Sequence, residues 1–155
     1  MSTTEGLDER LFVAVEKGDV ESARAALAGG ADARYVREES GDAFRVQTPV
    51  LYLACAKKNR GLVELLLAHG ADPDACFMDD ESWHQKDTCL RAAMPSLEIV
   101  TLLLERGADP NQPSEAGESC RKQAADSRRQ RSVKAILASG PNASAKKRNQ
   151  RRRPH

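Results

Sequence analysis

Among the side chains of this 155-residue chain that could serve as bases, nucleophiles or metal ligands, three histidines and four cysteines are the few whose spacing would be most telling. His84, beside Trp83 and not far from Cys76, is the one conceivable acid–base group. Nucleophilic catalysis would need a base oriented by a third residue, and neither such a residue nor a phosphate-cradling glycine loop accompanies it. The expectation is therefore no catalysis and no cofactor. His69 closes an apolar run and His155 is terminal. Cys55, Cys76, Cys89 and Cys120 lack the C-x₂-C or H-x₃-H pairs of zinc sites, so Cys76, His84 and Cys89 do not form a metal pattern. Residues 1–6 carry no secretory signature, which favours reduced thiols in a cytoplasmic or nuclear protein.

Side chains suited to recognition are more numerous. Four of the six aromatics, Tyr35, Phe44, Phe77 and Trp83, fall within residues 34–47 and 75–86, together with Arg34, Arg37, Arg45 and His84. Aromatic and arginine side chains are the usual anchors of an interface. A second group, Lys146, Lys147, Arg148, Arg151, Arg152 and Arg153, packs six cations into eight residues. Such a cluster reads as a nuclear-import signal, a polyanion-binding arm or a solubilising tail. No aromatics interleave it, so any contact with nucleic acid would be electrostatic and salt-sensitive. Charge divides the chain sharply. Residues 1–120 hold 12 Lys/Arg against 22 Asp/Glu, and residues 121–155 hold 12 against 1. No apolar run approaches the roughly 20 residues that span a bilayer.

The elements that position these residues repeat. Gly30-Ala31-Asp32, Gly70-Ala71-Asp72 and Gly107-Ala108-Asp109 recur, with Gly140-Pro141-Asn142 as a worn fourth copy. Each follows an apolar rhythm of helical period, such as Leu62-Val63-x-Leu65-Leu66-Leu67 and Ile99-Val100-x-Leu102-Leu103-Leu104. The glycine after each run suits the left-handed residue that ends a helix. A shorter helix precedes each run, and Thr48-Pro49 predicts a hydroxyl N-cap followed by proline in the first turn.

Short helix, longer helix, Gly-Ala-Asp and an extended connection resemble the ankyrin repeat, whose period is about 33 residues. The resemblance implies a solenoid of helix–turn–helix units in an all-α fold with hairpin-like finger loops. It covers residues 7–141, as repeats near 7–47, 48–87, 88–118 and 119–141, between a disordered 1–6 and a disordered basic tail at 142–155. The family's T-P-L-H histidine is replaced by Phe12, Tyr52, Arg91 and Lys122.

Two connections, from Gly30 to Thr48 and from Gly70 to Thr88, are each six residues longer than that from Gly107 to Ser119. The first predicts a hairpin about Ser40-Gly41, with Tyr35 opposite Val46 and Arg37 opposite Phe44. The second folds about Asp80-Glu81, with Met78 opposite Trp83 and Phe77 opposite His84. Finger aromatics either cover the fingers themselves or hold a partner. In the family, finger tips and first helices line the concave, partner-holding face. The resemblance thus implies a protein-binding adaptor, expected as a monomer, with candidates Tyr35, Arg37, Phe44, Arg45, Tyr52, Phe77, Trp83, His84 and Arg91. Nucleic acid or an import receptor at the basic end is the alternative partner class. The resemblance also marks Asn111, in Gly107-Ala108-Asp109-Pro110-Asn111, as a position for asparaginyl hydroxylation.

Overall fold

Helix pairs succeed one another along the chain, and the structure, a computed structural model, describes residues 3–42, 45–80, 85–94, 96–110 and 112. The first pair is α1 (Thr3–Lys17) and α2 (Val20–Ala28). It leads through strands β1 (Val36–Ser40) and β2 (Arg45–Pro49) into α3 (Val50–Ala56) and α4 (Arg60–Ala68). Strands β3 (Cys76–Asp79) and β4 (Gln85–Thr88) then lead into α5 (Cys89–Ala93) and α6 (Leu97–Glu105). The first helices α1, α3 and α5 pack side by side in one layer, and α2, α4 and α6 in another.

Local chemistry explains the breaks. Asp19 and Asn59 cap α2 and α4 by accepting the amides of Ser22 and Leu62. Gly30, Gly70 and Gly107 each take a positive φ, of 110°, 93° and 96°, one residue past the helix C-cap. A Cβ would be strained there, which is why the glycines mark the repeat. The turns inside the first two pairs take the same conformation, at Gly18 with φ 75° and at Lys58 with φ 55°, whereas Met94 and Ser96 between α5 and α6 keep negative φ.

Between the layers lies one continuous core. Leu11 and Val15 from α1, Leu51 and Ala54 from α3, and Leu90 and Ala93 from α5 meet the apolar faces of the second helices. Leu62, Val63, Leu66, Val100 and Leu103 are all fully buried. The apolar positions singled out by helical period therefore do face inward.

Four expectations need correction. The fold is not purely all-α, because β1, β2, β3 and β4 join, in that order, into one antiparallel sheet. The two fingers are fused through Val46 opposite Asp79 and Gln47 opposite Met78. Their registers also differ from those expected. Val36 opposes Pro49, and Val46 opposes Glu39 rather than Tyr35. In the second finger Cys76 opposes Thr88, Phe77 opposes Asp87 rather than His84, and Met78 opposes Lys86 rather than Trp83. The bases of the fingers fix these registers: the Tyr35 carbonyl accepts the Val50 amide at 2.9 Å, at the junction with α3. A favourable turn dipeptide at the tip cannot override that anchor.

Pro49, not Thr48, is the residue preceding α3, and it makes no side-chain cap bond; Thr48 stays in β2. Thr88 caps α5 through the Arg91 amide, at 3.2 Å. Finally, α1 begins at Thr3, inside the stretch expected to be disordered. Adding residues to a helix already anchored by Leu7 and Leu11 avoids the cost of nucleation.

Candidate partner-binding face

Corresponding positions of successive units come to lie side by side. Phe12, Tyr52 and Arg91 occupy one position on α1, α3 and α5, while Arg37 and Phe77 occupy one position on β1 and β3. In the first unit the Arg37 guanidinium lies over the Phe12 ring, 4.9 Å from its centroid. In the second, Phe77 stacks on Tyr52 with centroids 5.0 Å apart and planes 16° apart. One geometric slot thus holds a cation–π contact and then a ring stack, each worth about 1 kcal/mol. Tyr35 adds an edge-on contact to Phe12, at 6.3 Å between centroids.

Carboxylates tie these groups down. Glu9 accepts the Tyr35 hydroxyl at 3.2 Å and pairs with Arg37 at 3.4 Å. The Tyr52 hydroxyl donates to Asp87 at 2.9 Å, and the other Asp87 oxygen lies 3.8 Å from Arg91. Burial, followed by the neighbouring Asp87 charge and its hydrogen bond, pushes the Tyr52 phenol well above its ordinary value. The same causes, with Glu9 in place of Asp87, raise Tyr35. Both phenols remain protonated donors at neutral pH.

Tyr35, Arg37, Tyr52, Phe77 and Arg91 are each half-buried and share the side of the sheet that meets the first helices. Arg45 does not join them. It opposes Ser40, so strand alternation puts it on the other face with Glu38, Gln47 and Met78. Phe44, Trp83, His84 and Asn111 lie outside the described residues, as do Lys146, Lys147, Arg148, Arg151, Arg152 and Arg153. Sequence reading missed Glu9 and Asp87. Their partners stand 26 and 35 residues away, and only the offset between successive repeats could have aligned them.

A family model described as ankyrin repeats, in three copies, matches residues 11–114. The chain belongs to the ankyrin-repeat family. No curated protein gives a match. The fourth copy expected at residues 119–141 lies beyond the matched region and outside the described residues.

Without the T-P-L-H histidine, this ankyrin array ties neighbouring repeats by other polar contacts. Asp74 accepts the Asp109 amide at 2.8 Å, Gln112 donates to the Asp74 carbonyl at 3.1 Å, and Arg106 donates to the Leu67 carbonyl at 3.4 Å. These contacts hold the second repeat to the third.

The ankyrin core also accounts for the thiols. Cys55, Cys76 and Cys89 are free. Burial raises the Cys76 thiol, and a hydrogen bond with Cys55 followed by burial raises Cys89, so neither is a thiolate at neutral pH. Among the described residues no group of three or more His, Cys, Asp or Glu side chains is arranged to hold a metal ion, and no helix is long and apolar enough to cross a membrane.

Proposed function

We propose that this ankyrin-repeat protein is an adaptor that holds another protein against its finger sheet and first helices. Ankyrin repeats generally mediate protein–protein interaction. The observation that carries the reading for this chain is the placement of Phe77. It stacks on Tyr52 yet stays only half-buried, at the corner where sheet and first helices meet. Arg37 on β1, two strands away, and Arg91 on α5 are each still about a third exposed despite an ion pair. An apolar side chain set among acidic or polar neighbours is the ligand chemistry this corner fits.

The same contacts give the fingers their own apolar cover, so the test must separate stability from affinity. Phe77→Ala and Trp83→Ala are each measured for melting temperature and for binding to the partner. Truncating an interface anchor costs roughly 2 kcal/mol or more, which is about thirtyfold in affinity. A lowered melting temperature with intact binding would remove that residue from the site.

The division of charge supports a second reading for the C-terminal end. Residues 121–155 carry 12 cations and one acid, a composition suited to an import receptor or to nucleic acid. Deleting residues 143–155 should shift a tagged protein from nucleus to cytoplasm, or abolish salt-sensitive retention on nucleic acid. If neither changes, the segment has neither role.

A further inference from the structure

The first helix pair carries a groove on the side away from the second. A cavity of about 630 Å³ lies against α1 and α2, lined by Leu7, Arg10, Val13, Lys17, Ala25 and Ala26 among others. None of its lining comes from α3 or α4, so it faces away from the next repeat.

Aligning the second helices on their closing glycines explains it. Ser22, Ala25 and Ala26 stand where α4 has Leu62, Leu65 and Leu66 and α6 has Ile99, Leu102 and Leu103. Three large side chains have become small ones, and the space they would fill is open. A terminal repeat is expected to turn a polar face outward. Here the floor is alanine, and Leu7 and Val13 form the walls.

Charge on the rim has a sign once internal partners are subtracted. Glu9 is taken up by Arg37 and the Tyr35 hydroxyl, while Asp19 keeps its charge as it caps the Ser22 amide, so the rim sets two cations, Arg10 and Lys17, against one anion. Arg10 and Lys17 have no ion-pair partner among the described residues. Seven residues apart on one helix, they stand on the same side about 10 Å apart.

We propose that this groove docks an acidic amphipathic helix from a partner protein, separately from the finger face. Apolar side chains of that helix enter above Ala25 and Ala26, while its carboxylates reach Arg10 and Lys17. The small floor permits the close backbone approach of helix-in-groove recognition. A second copy fits less well, because a two-fold contact would set Arg10 and Lys17 against their own counterparts. The chain's own basic C-terminal segment has the wrong sign.

The test uses the full chain, isotope-labelled for NMR, and a synthetic acetylated helical peptide of about 18 residues, roughly 27 Å long. The peptide carries a Leu/Ala stripe flanked by glutamates seven apart, and a twin carries lysines in their place. The acidic peptide should perturb the signals of Leu7, Val13, Ala25 and Ala26, and the twin should bind at least about tenfold more weakly. The double variant Arg10→Glu/Lys17→Glu should reverse that preference. Ala25→Leu places at an exposed position the residue found there in α4 and α6. It should lower affinity at least about tenfold with no loss of melting temperature. No binding, binding indifferent to these variants, or perturbations confined to the fingers would each overturn the proposal. So would a dimer in sedimentation that Ala25→Leu abolishes, which would assign the groove to self-association.

Discussion

Asp74 joins two repeats through the Asp109 amide, yet it does so from a place that disfavours its charge. Burial raises its pKa, and the charges of Asp72 and Asp109 raise it further; the Asp109 amide bond opposes them without cancelling them. A folded-state pKa above the unfolded value means that the folded chain holds the proton more tightly. The stability so contributed is full below the ordinary carboxylate range, about pH 4, and is lost as pH rises through the raised value. At neutral pH the charge is therefore a net penalty. Asp74→Asn keeps an oxygen to accept the amide and removes the charge. Its melting temperature should exceed the parent's at pH 7, with the gain shrinking as the pH falls through the carboxylate range. A gain that grows toward acid would contradict this account. At this scale the sequence was informative about repeats and silent about pairs. Phe12, Tyr52 and Arg91 could be placed in one column from the repeat register alone. That Tyr52 would find Asp87, or Tyr35 find Glu9, depends on how the fingers bend over the first helices.

The elements show the same division. Helix positions were legible because apolar period and closing glycines agree at Gly30, Gly70 and Gly107, whereas the caps Asp19 and Asn59 went unread and the one expected cap, Thr48, stays in β2. The fingers were legible as hairpins but not in register. Ser40-Gly41 is a good local turn signal, whereas pairing is anchored at the finger base and by the contact between fingers. Strand β2 is the keystone of that contact, since Val46 opposes both Glu39 and Asp79. Val46→Pro removes an amide donor and fixes φ in a central strand, where proline is not tolerated. Hydrogen exchange should show lost protection across β1 and β3, with α4 and α6 still protected. Unchanged protection in β3 would mean that the two fingers are independent hairpins.

Across the whole molecule, stability is carried by a short stack in which each repeat contacts only its neighbours. Leu66 and Leu103 are fully buried, one in each of the last two described second helices. Replacing either with alanine should cost roughly 2–5 kcal/mol in urea unfolding. That is a large part of the total stability of a small domain, roughly 5–15 kcal/mol. A loss below about 1 kcal/mol would place these leucines outside a packed core. The array also presents two surfaces of different chemistry, an aromatic and arginine corner on the fingers and an apolar groove against α1 and α2 with Arg10 and Lys17 on its rim. The central claim is that the finger corner is where a protein partner sits. It is tested most directly by placing a photo-crosslinking amino acid at position 77, and as a control at the exposed Glu64 of α4, in the full chain in native cells. Position 77 should give a discrete crosslinked protein that is absent from position 64 and is lost with Arg91→Ala. Equal crosslinking from both positions, or none from position 77 when a partner co-purifies, would contradict it.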